Sequence, residues 1–226
     1  MDKITRLRKE VLEANLLLPK WGLVVSTQGN ASGFDRKKGL VLIKPSGISY
    51  SRLKPSDLVT LNLDGKKISG LKKPSVDWPH HIYLYRNIPG IGGVVHTHSP
   101  YATAFAAAGI PISCLTTGQA DIFGGEIPVT PYTDNQADNI GKAIIKAYRP
   151  GCPAIILGQH GVFAFDESPE KAVLAAKLTE HFARINLSGL LLGKTAGRSV
   201  LPLPEEEIQK WYRRYHGGGY GQRRKR

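Results

Sequence analysis

The sequence is short of several things, and each shortage removes a class of protein. It has only two cysteines, Cys114 and Cys152, in no paired-ligand spacing. So few cannot form a secreted disulfide framework, and both are expected to be small buried apolar residues. No apolar run approaches the roughly 18 residues that cross a bilayer. The opening, MDKITRLRKEVLEANLLLPK, mixes charges into its apolar positions instead of separating them as a secretory signal does. A cytoplasmic protein without membrane contact is expected. Internal repeats, low-complexity stretches, interior linkers and a nicotinamide-binding glycine fingerprint are absent as well. Acidic residues are few: 18 against 31 Lys plus Arg, a formal charge of +13. Such a field attracts anions, from small phosphorylated molecules to nucleic acid. The cations cluster only at the end, in Arg213-Arg214 and Arg223-Arg224-Lys225-Arg226. That run reads as a solvated tail, and with no nucleic-acid fold signature a nucleic-acid partner is not expected.

What remains is an ordinary globular balance, 41% hydrophobic and 22% charged over 226 residues. It suits a single domain spanning 1–226 with a Gly-rich basic tail from about 216. Ile4, Leu7, Val11, Leu12, Ala14 and Leu18 recur at helical spacing, which predicts an opening helix over 2–18 ended by Pro19 and Gly22. Short runs at Leu40–Ile43, Leu58–Leu63 and Ile91–Val95 read as strands. Asp77 opens a helix to Arg86, Pro100 opens another to Ala108, and 135–148 and 168–193 supply two longer ones. Ala154–Leu157 and Val162–Phe165 form a hairpin across Gly158-Gln159-His160-Gly161, and Asp64-Gly65 marks a second. The expectation is a layered α/β domain on an at least partly antiparallel sheet, with a C-terminal helix.

The chemistry concentrates in a few places. In Val94-Val95-His96-Thr97-His98 the two imidazoles lie two residues apart on a strand, hence on one side, where they can meet one ion. Taken alone, the pair also fits a hydrogen-bonded core. His160 sits at a hairpin tip between glycines that permit close approach, and by itself reads as a turn residue. Asp77 by itself reads as a helix N-cap. Three imidazoles and a carboxylate together would suit zinc or a similar divalent ion. Gln28-Gly29-Asn30-Ala31-Ser32-Gly33 and Lys44-Pro45-Ser46-Gly47 offer hydroxyls, an amide, backbone N–H groups and a cation, the donors a phosphate needs, although both could be ordinary turns. Lys72-Lys73-Pro74-Ser75 brings similar groups beside Asp77.

The segments Gln28–Asp35, Lys44–Tyr50, Lys72–His81, Gly92–Ala106, Leu115–Phe123, Gly158–Phe165 and His216–Gln222, in that order, resemble the class II aldolase/adducin family, on the side of its pentose-phosphate 4-epimerases. The resemblance implies a three-layer αβα domain around a mixed, largely antiparallel sheet. It implies a metal, usually zinc but also Mn2+ or Co2+, on Asp77, His96, His98 and His160. Substrate phosphate would meet Asn30, Lys44, Ser46, Gly47 and Ser75. Asp121 and a C-terminal Tyr220, delivered to a neighbouring subunit of a homotetramer with interfacial sites, would be the acid/base pair. Read without the family, Asp121 is a turn residue. The activity implied is inversion of C4 of L-ribulose 5-phosphate to D-xylulose 5-phosphate by retro-aldol and aldol steps. Alternatives are cleavage of a ketose 1-phosphate such as L-fuculose 1-phosphate, or an adducin-like interaction module without activity. The chain departs from the family's pattern at Val76, where a second Ser is common, and at Trp211, where a His is usual. Its Gly-rich end is about two residues shorter, and the segment between Thr130 and Pro153 is compressed.

Overall fold

The structure, a computed structural model, describes residues 2–218. The expected opening helix is α1 (Lys3–Lys20), which buries Leu7, Val11, Ala14 and Leu18 and is capped by Asp2 accepting from the Thr5 N–H at 2.9 Å. Pro19 does not stop it. In the last turn the proline costs only the N–H that would have reached back four residues, so the helix runs on to Lys20 before the left-handed Gly22 at φ 69°.

The strands are β1 (Asn30–Asp35), β2 (Leu40–Ile43), β3 (Val59–Asn62), β4 (Lys67–Ser69), β5 (Gly93–Thr97), β6 (Val129–Thr130), β7 (Ala154–Leu157) and β8 (Gly161–Asp166). They form one sheet in the order β4-β3-β2-β1-β5-β8-β7-β6. Every neighbouring pair is antiparallel except β6 with β7. Both predicted hairpins are present: β3–β4 turns at Gly65, and β7–β8 closes with Leu157 opposite Gly161.

Alternation along these strands sorts the side chains into two cores. Ala31, Val95, Ile156, Val162 and Ala164 face α1, α3 (Pro100–Ala108) and α6 (Pro169–Thr195). Phe34, Val94, Ile155, Phe163 and Phe165 face α2 (Trp78–Asn87) and α5 (Asn139–Ala147). The fold is therefore the expected three-layer αβα arrangement around a mixed, largely antiparallel sheet. Cys114 and Cys152 are buried free thiols, as expected.

Three local expectations change. Residues 30–33, read as part of a turn, are central strand. Gly33 is required there, because a Cβ on it would lie 2.6 Å from Val11 and 2.7 Å from Leu7, so α1 can lie close over β1. The strand expected at Ile91–Val95 is shifted to Gly93–Thr97, with Gly92 and Gly93 packed on the backbone of Glu167 and Ser168. Asp121 is no turn residue: it belongs to α4 (Thr117–Phe123), capped by the Thr116 hydroxyl and closed by Gly124 at φ 59°. Against α4 packs α7 (Glu205–His216), the expected C-terminal helix, through Cys114, Ala120, Ile208 and Trp211. Tyr220 and Arg223–Arg226 lie outside the described residues. No helix among the described residues is long and apolar enough to cross a membrane.

Leu84 is fully buried in the α2-side core. Leu84→Ala is expected to cost about 2–5 kcal/mol and to lower the urea midpoint by roughly 1 M or more. Equilibrium unfolding checks this, and an unmoved midpoint would contradict the assignment of that core.

Candidate functional site

The site is assembled by β5 and its two partners. Antiparallel register places Asn30 opposite His96 on one side and Phe163 opposite His96 on the other, so all three point to the α2 face. The Phe163 ring stacks on the His96 imidazole at 4.6 Å and 23°. His96 Nδ1 lies 2.9 Å from the Val162 carbonyl oxygen. A carbonyl only accepts, so Nδ1 carries the proton and Nε2 keeps a lone pair. His98 follows two residues on, held by its own N–H donating to the Leu23 carbonyl. Its Nε2 stands 2.9 Å from His96 Nε2.

His160 arrives from the β7–β8 turn, whose backbone is pinned by three bonds. Gly158 N–H donates to the Thr130 carbonyl, Gln159 N–H to Ala106 and His160 N–H to Leu157. Gln159 holds a left-handed φ of 57°, strain of the kind that persists where surroundings fix a functional loop. Gly161 is obligatory for space: a Cβ there would meet the Thr97 carbonyl oxygen and would stand 3.5 Å from His96 Cε1. The outcome is a cluster in which His96, His98 and His160 each offer a ring nitrogen, all within 4.8 Å of one another.

Asp77 stands beside this group, not at the same spacing. It occupies the N-cap position of α2, yet makes no side-chain cap bond and has helical dihedrals. Its carboxylate turns away to accept from the Asn30 amide at 2.6 Å and the Ser75 hydroxyl at 3.3 Å. The capping role that the sequence suggested for Asp77 alone is therefore excluded. Burial raises the Asp77 carboxyl, but the His96 and His81 imidazoles and the Asn30 amide more than offset it and hold the group below its ordinary range. Burial pushes His96 down to about 4, and lowers His98 and His160 as well. At neutral pH the cluster thus presents uncharged imidazoles next to an ionised carboxylate, the forms that ligate a metal. The donor set fits a borderline divalent ion such as zinc.

The anion-binding candidates gather on the adjoining loops. Pro45 bridges Pro74, and Ser75 N–H donates to the Lys44 carbonyl, so the two loops lie side by side. Lys44 is buried, its ammonium 3.4 and 3.5 Å from the Thr27 and Pro45 carbonyls and 4.8 Å from the Tyr50 ring. Burial lowers its pKa and the Asp77 charge pulls it back. Ser46 and Gly47, at φ 68°, form an exposed turn next to it. Asn30 is already committed: both its amide bonds go to Ser75 and Asp77, and its buried Oδ1, which has no partner among the described residues, can only accept. Asp121 sits on α4, which packs against α7, and it does not join the imidazole cluster. Tyr220 lies outside the described residues.

Sequence reasoning missed a layer beneath the candidate ligands. Ser32 Oγ meets His81 Nδ1 at 2.7 Å and the Tyr85 hydroxyl at 2.8 Å, which ties β1 to α2 below Asp77. The signal was available for His81, four residues after Asp77 and thus on its helical face. Nothing local announced Phe163 as a partner of His96, since that depends on strand register.

A mixed sheet under helices, with three imidazoles at a strand end beside a buried carboxylate, defines a metallo-enzyme class, and comparison with known proteins agrees. The family profile described as Class II Aldolase and Adducin N-terminal domain matches residues 9–187. The chain belongs to this class II aldolase and adducin family, which is divalent-metal dependent in its enzymes. Among its relatives is the L-ribulose-5-phosphate 4-epimerase UlaF of Salmonella paratyphi B, 38% identical over 230 residues, covering 96% of this chain and 99% of the relative. UlaF of Salmonella typhi is 39% identical with the same coverage. Among solved structures, an L-fuculose 1-phosphate aldolase superposes with a TM-score of 0.83 at 27% identity, over 93% of this chain and 96% of that one. The L-fuculose-1-phosphate aldolase of Thermus thermophilus gives 0.71 at 29% identity, over 86% and 98%.

Gly161→Ala is expected to lower affinity for a divalent ion roughly 10–100-fold, as loss of a ligand's support does, with far-ultraviolet circular dichroism unchanged. Competition with a chromophoric chelator measures it; wild-type affinity would mean the turn has slack the packing does not suggest.

Proposed function

We propose that this protein is a sugar-phosphate epimerase that inverts C4 of L-ribulose 5-phosphate, giving D-xylulose 5-phosphate. The observation that carries the reading is the convergence of His96, His98 and His160 beside Asp77, one loop away from the buried, anion-seeking Lys44. The named activity of the UlaF relatives, matched over nearly their whole length, supports the choice of substrate. The reading takes residues 1–226 as one catalytic domain, in a cytoplasmic homotetramer whose sites lie between subunits.

His96, His98, His160 and Asp77 would hold the ion, zinc by its preference for nitrogen donors. Such an ion supplies Lewis-acid stabilisation, several kcal/mol for the charge that builds on the substrate's C2 and C3 oxygens as C3–C4 breaks. The protein's own groups do the rest. Lys44, Ser46, Gly47 and Ser75 take the phosphate, and Asn30 spans from them to Asp77, its Oδ1, without a partner among the described residues, accepting a sugar hydroxyl. The C3–C4 electron pair stays with the three-carbon fragment, and the C4 hydroxyl becomes an aldehyde by giving its proton to a base. Asp121 and Tyr220 of a neighbouring subunit flank that oxygen, one accepting the proton and the other returning one after the aldehyde has turned its opposite face. Re-forming C3–C4 then inverts C4 with no net oxidation.

A second reading, cleavage of a ketose 1-phosphate with release of the aldehyde, is favoured by the superposition on L-fuculose 1-phosphate aldolase. Purified protein is expected to convert L-ribulose 5-phosphate, to lose that activity on chelation, and to yield no free dihydroxyacetone phosphate from fuculose 1-phosphate. Release of dihydroxyacetone phosphate without epimerisation would select the second reading. An adducin-like module without activity has no use for an intact imidazole cluster.

His96→Ala is expected to abolish both bound metal and turnover; full activity without metal would end the proposal. Asp121→Asn is expected to lower kcat by about 100-fold or more while the ion stays bound. Metal analysis alongside the kinetics separates the two, and loss of the ion in the Asn variant would mean Asp121 is misplaced.

A further inference from the structure

The family resemblance leaves Trp211 as a departure with no role, and the packing of α7 on α4 gives it one. The Trp211 ring, half-buried among Cys114, Ala120 and Ile208, is fixed by its indole N–H donating to Glu207 at 3.2 Å. Over that ring lies the Arg214 guanidinium, 5.3 Å from the centroid. Two residues on, His216 Nε2 donates to the main-chain carbonyl of Asp121 itself, at 3.1 Å. Tyr212 completes the clamp: its ring lies 4.2 Å from that of His216 and against Gly124 at the end of α4, and its hydroxyl donates to the Gly151 carbonyl. Meanwhile Asp121 Oδ1 is buried without a hydrogen-bond partner among the described residues.

We propose that Arg214, held on the Trp211 ring, is a positioning residue that supplies the countercharge of Asp121, and that His216 fixes the turn of α4 from which Asp121 projects. The inference rests on the reading of Asp121 as one of the acid/base pair. It makes α7 the element that sets one member of that pair and leads directly into the segment carrying the other.

The electrostatics agree. Burial raises the Asp121 carboxyl, and Arg214 and then His216 pull it back. Among the other described elements around α4, the Arg149 guanidinium is taken up by the Phe123 and Glu126 carbonyls at the far end of the helix, and α6 presents the neutral Asn186 amide to Gln119. The sign is then fixed. A cation favours the carboxylate, so removing it raises the pKa further. Activity that needs ionised Asp121 must fail at a higher pH.

The test is the pH dependence of kcat for L-ribulose 5-phosphate epimerisation by the metal-loaded protein. Arg214→Gln should move the acidic limb upward by roughly 0.5 to 1 pH unit with metal content unchanged, and Arg214→Lys should restore most of it. Trp211→Ala should move it the same way by less, since Arg214 remains but is no longer held. Added salt should raise the wild-type limb and leave that of Arg214→Gln in place, because Arg214 is exposed and its field is screened. A uniform fall in kcat with the limb unmoved would overturn the proposal by making α7 a mere structural support. If Asp121→Asn keeps full activity, the acid/base reading fails instead. Loss of activity in Asp121→Asn with no shift in Arg214→Gln removes this inference and leaves that reading intact.

Discussion

The registers on either side of β5 are the constraint on which the rest depends. With β1 on one edge and β8 on the other, His96 cannot move along or across the sheet without breaking ladders on both sides. Those bonds select its partners, Asn30 and Phe163, and deliver the Val162 carbonyl that fixes its tautomer. A one-residue slip would send His96 to the α1 face, where Val95 now packs among alanines. Backbone hydrogen bonds, each modest alone, thereby decide the orientation of a lone pair.

The price of this precision is a set of buried polar groups that solvent cannot reach. Asp77, Lys44, His96, His80 and His81 are all buried close together, an arrangement that is costly unless each charge finds a partner. The protein meets part of the demand with Asn30, Ser75, Ser32 and Tyr85. The remainder, imidazole nitrogens facing one another and an ammonium with long bonds of 3.4 and 3.5 Å to two carbonyls, is left for a bound group to complete. On the proposed reading, a cation between the imidazoles and an anion on Lys44 would each complete groups that folding leaves under-partnered, which would make metal and phosphate affinity two sides of one arrangement.

Much of this was legible in the sequence because it is local. The pair His96 and His98 follows from the two-residue period of a strand, and His160 from a turn with glycine at both ends; α3 begins and ends where Pro100 and Gly109 require. What was not legible depends on contacts between distant elements. Small residues at 30–33 resemble a turn because nothing local says that α1 lies on them. Asp121 resembles a turn residue because Gly118 and Gly124 bracket it, whereas the Thr116 cap and the packing of Ala120 on Ile208 make a short helix. Asp77 is ambiguous for the opposite reason: its position is that of a cap, and only Asn30, forty-seven residues earlier, shows where the carboxylate goes.

The same local geometry serves both aldol cleavage and epimerisation, so the choice between them must be made elsewhere. In a ketose 1-phosphate the phosphate stays with the three-carbon fragment, and the aldehyde leaves with no charge to retain it. In L-ribulose 5-phosphate, breaking C3–C4 puts the phosphate on the aldehyde. On the proposed reading, a buried ammonium with no anionic side chain in ion-pair contact among the described residues, as Lys44 is, would hold the very fragment that must stay, turn and re-add. Epimerisation therefore needs no metal centre different from an aldolase's. It needs a phosphate grip that outlasts the rotation and an acid/base pair reaching both faces of C4, and on the proposed reading that burden would fall on the Lys44 loop and on the helices α4 and α7.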